Sequence, residues 1–160
     1  MIGKVDLVMW TKDGEKFLRQ VLNSIEQAIP EENVNQRIIV DDHSGDQTVR
    51  IAKDFNWQVY PNPAHGISSG ANEALRHVQT EFFVSIDQDV MLAKDWWEQM
   101  SIYMINPDAV VAQGIRMATH PTLKILDEYA YFREDTLLGV SLDNNLMRTR
   151  IIRQLVGFPD

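Results

Sequence analysis

The runs "RIIV" (Arg37–Val40) and "EFFVSI" (Glu81–Ile86) constrain this chain most. Each is short, rich in β-branched or aromatic residues, and apolar without alternation, the pattern of a strand covered on both faces. Such strands belong to parallel sheets flanked by helices. Each run also ends on acids: Asp41 and Asp42 after the first, Asp87-Gln88-Asp89 after the second. An unpaired carboxylate at the mouth of an apolar strand costs several kcal/mol, roughly, to desolvate. What those acids face is the functional question.

The rest of the chain fits the same frame. "KVDLVMW" (Lys4–Trp10) reads as a first strand. "EKFLRQVLNSIEQAI" follows, with Phe17, Leu18, Val21, Leu22, Ile25, Ala28 and Ile29 on one helical face, and Pro30 ends it. After "DDHSGD", Asp46 is a helix N-cap for "QTVRIAKDF". "WQVY" is a third strand, closed by Pro61 and Pro63. "HGISSG" opens a helix with Ile67, Ala71, Ala74, Leu75 and Val78 inward. "KDWWEQMSIYM" is a helix with Trp96, Trp97, Met100, Tyr103 and Met104 inward; of the two tryptophans, one is expected in the core and one at the surface. "AVVAQGI" (Ala109–Ile115) is a fifth strand, "PTLKILDEYAYF" a helix, and "NNLMRTRIIRQLV" a strand or loop followed by a short helix. Strands alternating with helices predict an α/β fold, a mostly parallel central sheet with right-handed crossovers.

Ligands in such sheets bind at the carboxyl ends of strands. Asp41, Asp42, Asp87 and Asp89 would then gather at one edge. Like charges that close repel unless something positive sits among them, and a hard cation with oxygen ligands is the simplest answer. Mg²⁺ takes one or two carboxylates plus substrate phosphates, which suits this arrangement. The competing reading of any one such acid is a helix cap or a turn, and for Asp46 the cap is preferred.

Composition narrows the classes. The 160 residues fit one domain, and the absence of cysteine excludes disulfides, thiolate metal sites and cysteine nucleophiles. A net charge of -8 without a basic patch argues against a nucleic-acid partner. No apolar run reaches transmembrane length and the amino terminus has no signal-peptide segment, so a cytoplasmic protein is expected, including one peripheral to the inner face of the membrane.

The order of motifs resembles the family-two glycosyltransferases, nucleotide-diphospho-sugar transferases of the GT-A fold. The shared features are "LVMWTKDGEKFLRQVLNSI" as first strand, turn and helix, "IIVDDHSGDQT", "HGISSGANEAL", "EFFVSIDQDV" and "NNLMRTRIIRQLVGFPD". The acidic pair and the Asp-x-Asp in this order are fairly specific; each alone is weak. The resemblance spans essentially the whole chain. It implies a single GT-A domain over 1–160, with 1–117 as the nucleotide-binding half and 118–160 as the start of the acceptor-side region.

The resemblance also implies roles. Thr11, Asp41 and Asp42 would hold the base and ribose of a UDP- or GDP-sugar donor. Asn72 is the Asn of an Ala-Arg-Asn segment at the nucleotide. Asp87 would lie near the ribose and the metal, and Asp89 would coordinate Mg²⁺ or Mn²⁺ on the diphosphate. The reaction implied is metal-dependent, inverting transfer of the sugar to an acceptor: a glycan, lipid or protein. Departures are Trp10 for the usual Pro, Lys12 and Asp13 for Tyr and Asn, Ala71 for the Arg, and Val156 for one Gly. The lost cation has His65 and Lys12 as substitutes. In the family an acid after the Gly-Gly-Phe segment is the general base. Here the chain ends at Asp160, so either the sequence is a fragment, the preferred reading, or the enzyme is atypical, or Asp160 itself is the base; poor transfer by the 160 residues alone is expected.

Other readings compete. A nucleotidyltransferase needs a Gly-rich loop with Arg and Lys after the first strand, which "TKDGEKF" lacks. A Mg²⁺-binding receiver domain needs its acidic pair after the first strand, whereas Asp41 and Asp42 follow the second. A non-catalytic nucleotide-sugar-binding fragment remains as the alternative to an enzyme. His43, His77 and His120 read as turn, helix surface and loop, and Arg148, Arg150 and Arg153 as solvated.

Overall fold

The computed structural model describes residues 2–118, 123, 141–155 and 158. In chain order they form β1 (Val5–Thr11), α1 (Glu15–Ala28), β2 (Val34–Asp41), α2 (Thr48–Asp54), β3 (Gln58–Pro61), α3 (Ile67–His77), β4 (Phe82–Ser85), α4 (Trp96–Ser101), β5 (Val111–Gln113), β6 (Asn145–Arg148) and α5 (Thr149–Gln154). The sheet order is β3-β2-β1-β4-β6-β5. The first four strands in that order run parallel. β6 inserts antiparallel between β4 and β5, so the expected fifth strand is the sheet edge and runs in the same direction as β1–β4, and only β6 is reversed.

Alternation along each strand sends side chains to opposite faces. Leu7, Met9, Ile39 and Val84 pack against Leu18, Leu22 and Ile25 of α1, Ile51 of α2 and Trp96, Trp97 and Met100 of α4. Val8, Trp10, Ile38, Val40 and Phe83 pack with Ala71, Ala74 and Leu75 of α3 and Ile152 of α5. Both faces are covered, which is why "RIIV" and "EFFVSI" carry no polar alternation.

Several expected inward residues point out. Phe17 is 45% exposed and Ile67 60%; each sits in the first turn of its helix, beyond the sheet edge. Tyr103 is 64% exposed because α4 stops at Ser101 and a 3₁₀ turn, Tyr103–Ile105, changes the period. Trp96 and Trp97 are both buried, correcting the expectation of one surface tryptophan. The Trp96 indole donates to Asn144 Oδ1 at 2.6 Å. The helix "PTLKILDEYAYF", apart from Leu123, and His120 lie outside the described residues.

The three late arginines do not share one fate. Arg150 is exposed, as expected. Arg148 is folded over Phe82 and donates to Glu81 Oε1 at 2.6 Å and to the Ala109 carbonyl at 3.1 Å. Arg153 donates to the Leu75 and Val78 carbonyls at 2.9 and 2.7 Å, closing the end of α3. Arg148 is half-buried, whereas Arg153 stays exposed, as expected, while its guanidinium ties α5 to α3.

Candidate functional site

The carboxyl ends of β1, β2 and β4 meet at a cleft of about 390 Å³ lined by Trp10, Thr11, Lys12, Asp42, Asn62, His65, Gly66, Ile67, Asp87, Gln88 and Asp89. A second cleft of about 800 Å³, lined among others by Asp89, Trp96, Tyr103, Ile115, Arg116 and Asn144, adjoins it. Asp89 belongs to both.

The end of β2 is tightly tied. Asp41 accepts from Ser44 N at 3.0 Å, Ser44 Oγ at 2.6 Å and Thr11 Oγ1 at 3.3 Å. Asp41 and Thr11 are both buried; Thr11 lines the cleft, whereas Asp41 is spent on the turn behind it. Asp42 turns into the cleft. Its Oδ1 meets His43 Nδ1 at 3.2 Å and His65 Nδ1 at 3.0 Å; its Oδ2 accepts from Gly66 N at 3.2 Å and Lys12 Nζ at 3.4 Å. Burial pushes its pKa up, but Gly66 N–H, the two imidazoles and the ammonium outweigh that and hold it well below the usual carboxylate range.

Asp46 does more than cap one helix. It accepts from Thr48 N at 2.8 Å, in α2, and from Glu15 N at 3.0 Å, in α1. Glu15 Oε2 in turn accepts from Gln47 N at 2.8 Å. Two helix starts thus cap each other across the β1–α1 and β2–α2 loops.

The end of β4 is different. Asp87 is half-buried and Asp89 exposed. Burial, then the charges of Asp143 and Asp89, push Asp87 up to about 6, against the opposing pull of Arg116 and Trp10. Asp143 is buried, with Oδ2 3.2 Å from Arg116 Nε. Gln88, the middle residue of the motif, clasps the β1–α1 loop: Oε1 accepts from Lys12 N at 2.9 Å and Nε2 donates to Lys12 O at 3.0 Å.

Asn72 faces elsewhere than expected. Its Nδ2 donates to Phe158 O and its Oδ1 accepts from Phe158 N, both at 2.8 Å. Phe158 lies against Trp10, ring centres 6.5 Å apart. The side chain that the family pattern puts at the nucleotide therefore anchors the late segment to α3. Asp160 lies outside the described residues. Sequence reading missed Gln88, Asp143 and the pairing of His43 with His65; Asp143 carried only the signal of an acid before a strand.

The sequence matches the glycosyl transferase family 2 over residues 6–151. The chain belongs to that family. Solved structures of the family's GT-A fold superpose on it. One is the mannosyltransferase PcManGT from Pyrobaculum calidifontis in complex with GDP-Man and Mn²⁺, at TM-score 0.79 and 17% identity, covering 99% of this chain and 48% of that one. Another is S. aureus TarS 1–349 in complex with UDP-GlcNAc, at TM-score 0.78 and 21% identity, covering 97% and 48%. A third is glucosyl-3-phosphoglycerate synthase from Mycobacterium tuberculosis in complex with UDP, at TM-score 0.71 and 14% identity, covering 94% and 58%. This family member spans about half the length of those relatives. No curated protein matches it in sequence. Among its described residues no helix is long and apolar enough to cross a membrane.

Proposed function

We propose that the protein binds a nucleoside-diphosphate sugar, with UDP or GDP as the nucleotide, and passes the sugar to an acceptor with inversion, in a reaction that depends on Mg²⁺ or Mn²⁺. The observation that carries this reading is the gathering of three carboxylates, Asp87, Asp89 and Asp143, with one arginine, Arg116, at the end of β4. Asp87 is raised to about 6 by burial, Asp143 and Asp89. Carboxylate oxygens held apart from nitrogen or sulfur ligands suit a hard cation. Bound there, the ion would neutralise charge developing on the leaving diphosphate, a Lewis-acid role.

The chain's own residues divide the work. Asp87 and Asp89 hold the ion at the junction of the two clefts. Asp42 takes the nucleoside beside Thr11, and Asp41 acts from behind them by holding Thr11 and the Ser44 turn. Lys12 and His65, both beside Asp42, supply positive charge that the family's Arg would give at Ala71. Asn72 acts through Phe158, by fixing the wall behind Trp10. Inverting displacement needs a base at the acceptor hydroxyl, and Asp160 is the residue assigned to it. Residues 1–117 are the nucleotide half and 118–160 open the acceptor side, in a protein of the cytoplasm or its membrane face. The solved mannosyltransferase with GDP-Man and Mn²⁺ and the TarS complex with UDP-GlcNAc support the donor class.

Calorimetry with UDP and GDP, in EDTA and in Mn²⁺, tests the reading. The expected result is nucleotide binding that requires the ion. Equal affinity in both conditions overturns it.

A further inference from the structure

We infer that Asp42, His43 and His65 form a site for a borderline transition-metal ion, Zn²⁺ or Co²⁺, at the nucleoside end of the cleft and separate from Asp87 and Asp89. The three residues offer one ligand atom each, all within 4.8 Å of one another. Both imidazoles aim the same atom at the same oxygen: His43 Nδ1 lies 3.2 Å and His65 Nδ1 3.0 Å from Asp42 Oδ1. Ligands at the Zn–N and Zn–O lengths stand about 3.3 Å apart around a tetrahedral ion. The two N–O separations match that spacing, and the imidazole nitrogens, within 4.8 Å of each other, would draw together on an ion.

The surroundings prepare the carboxylate. Gly66 N and Lys12 Nζ bond its other oxygen, Oδ2, which fixes the group's orientation and leaves Oδ1 to the ion, as outer hydrogen bonds do at metal centres. His43 reaches its place from a left-handed backbone, φ 60°, a conformation that few side chains adopt without a compensating contact. The two rings pack with centroids 4.9 Å apart. Two imidazoles and one carboxylate leave the fourth position of a tetrahedral ion open to solvent or ligand. Nitrogen donors favour Zn²⁺ or Co²⁺, whereas Mg²⁺ and Ca²⁺ prefer oxygen. The cleft thus carries two donor sets of different chemistry.

The test uses no nucleotide, so it stands or falls apart from sugar transfer. Metal-free protein is titrated with Co²⁺, followed by visible absorbance, and with Zn²⁺ by calorimetry. One Zn²⁺ should bind and displace Co²⁺. His43→Ala and His65→Ala should each weaken Zn²⁺ binding about tenfold or more. Their side chains are 56% and 76% exposed, so both variants should keep the wild-type melting curve. Asp89→Ala should keep the histidine-dependent Zn²⁺ site. The inference is overturned if wild type binds no Zn²⁺, if the double histidine variant binds it undiminished, or if Asp89→Ala abolishes it.

Discussion

Two acids at the same sheet edge meet opposite environments. Asp42, after β2, has a partner for each oxygen and is held below the usual carboxylate range. Asp87, after β4, faces Asp89 and Asp143 and is raised to about 6. The difference does not come from burial alone, which pushes both pKa values upward. It comes from what the loops bring. The β2–α2 loop and the start of α3 deliver imidazoles and a free N–H; the loop after β4 delivers another carboxylate. At one end the chain's own donors outweigh burial, and at the other neighbouring carboxylates add to it.

The largest expected effect breaks the unfinished end. Asp89→Ala should weaken Mn²⁺-dependent UDP or GDP binding about a hundredfold, with the thermal melt in EDTA unchanged or slightly raised because repulsion on Asp87 is relieved. Calorimetry that finds wild-type affinity in this variant would assign the metal elsewhere. The next effect breaks the finished end. Asp42→Ala strands Lys12, the Gly66 N–H and two imidazoles, and should cost about 2 kcal/mol in urea unfolding, toward the low end for several charged hydrogen bonds because water reaches the site. A loss below the error of the measurement would mean that the ring of partners is not a stabilising unit.

The smallest effect has the opposite sign. Asp87 titrates higher folded than unfolded, so the stability it contributes is full below pH about 4 and is lost as pH rises through about 6. In EDTA at neutral pH, Asp87→Asn should therefore be more stable than wild type by about 1 kcal/mol after allowance for solvent screening. The gap should shrink as pH falls below about 6 and close toward about 4. Saturating Mn²⁺ should stabilise wild type and leave the variant unmoved. Urea unfolding across that range checks the sign, and a gap independent of pH would remove the charge explanation.

Much of this is legible in the order of the amino acids alone. Unalternating apolar runs announce strands covered on both faces, and the acids after them announce the edge where a ligand binds. What escapes depends on contacts across long stretches of chain. Nothing local distinguishes Gln88 from a spacer, because its partner is the backbone of Lys12. His43 and His65 are far apart in sequence and meet only because His43 takes a left-handed turn at the end of β2 and α3 starts beside it. Trp96 and Trp97 are adjacent on a helix, about 100° apart, and periodicity cannot show that the sheet edge and the β5–β6 side cover both. Asn72 matches a family position, yet its amide is spent on Phe158.

The clasp between Gln88 and Lys12 also bears on how this chain can change over generations. Gly14 closes the loop that Gln88 grips, and a Cβ added at Gly14 would stand 2.6 Å from Gln88 Oε1. The amide is the far end of a flexible side chain, so it would yield and release the Lys12 backbone. Positions 14 and 88 are therefore coupled: a side chain at 14 displaces the amide, and a shorter residue at 88 relaxes the demand for glycine. Gly14→Ala should harm the loop in the parent and be nearly silent in a Gln88→Ala background. The middle letter of an Asp-x-Asp motif, usually read as a blank, is here half of a fitted pair.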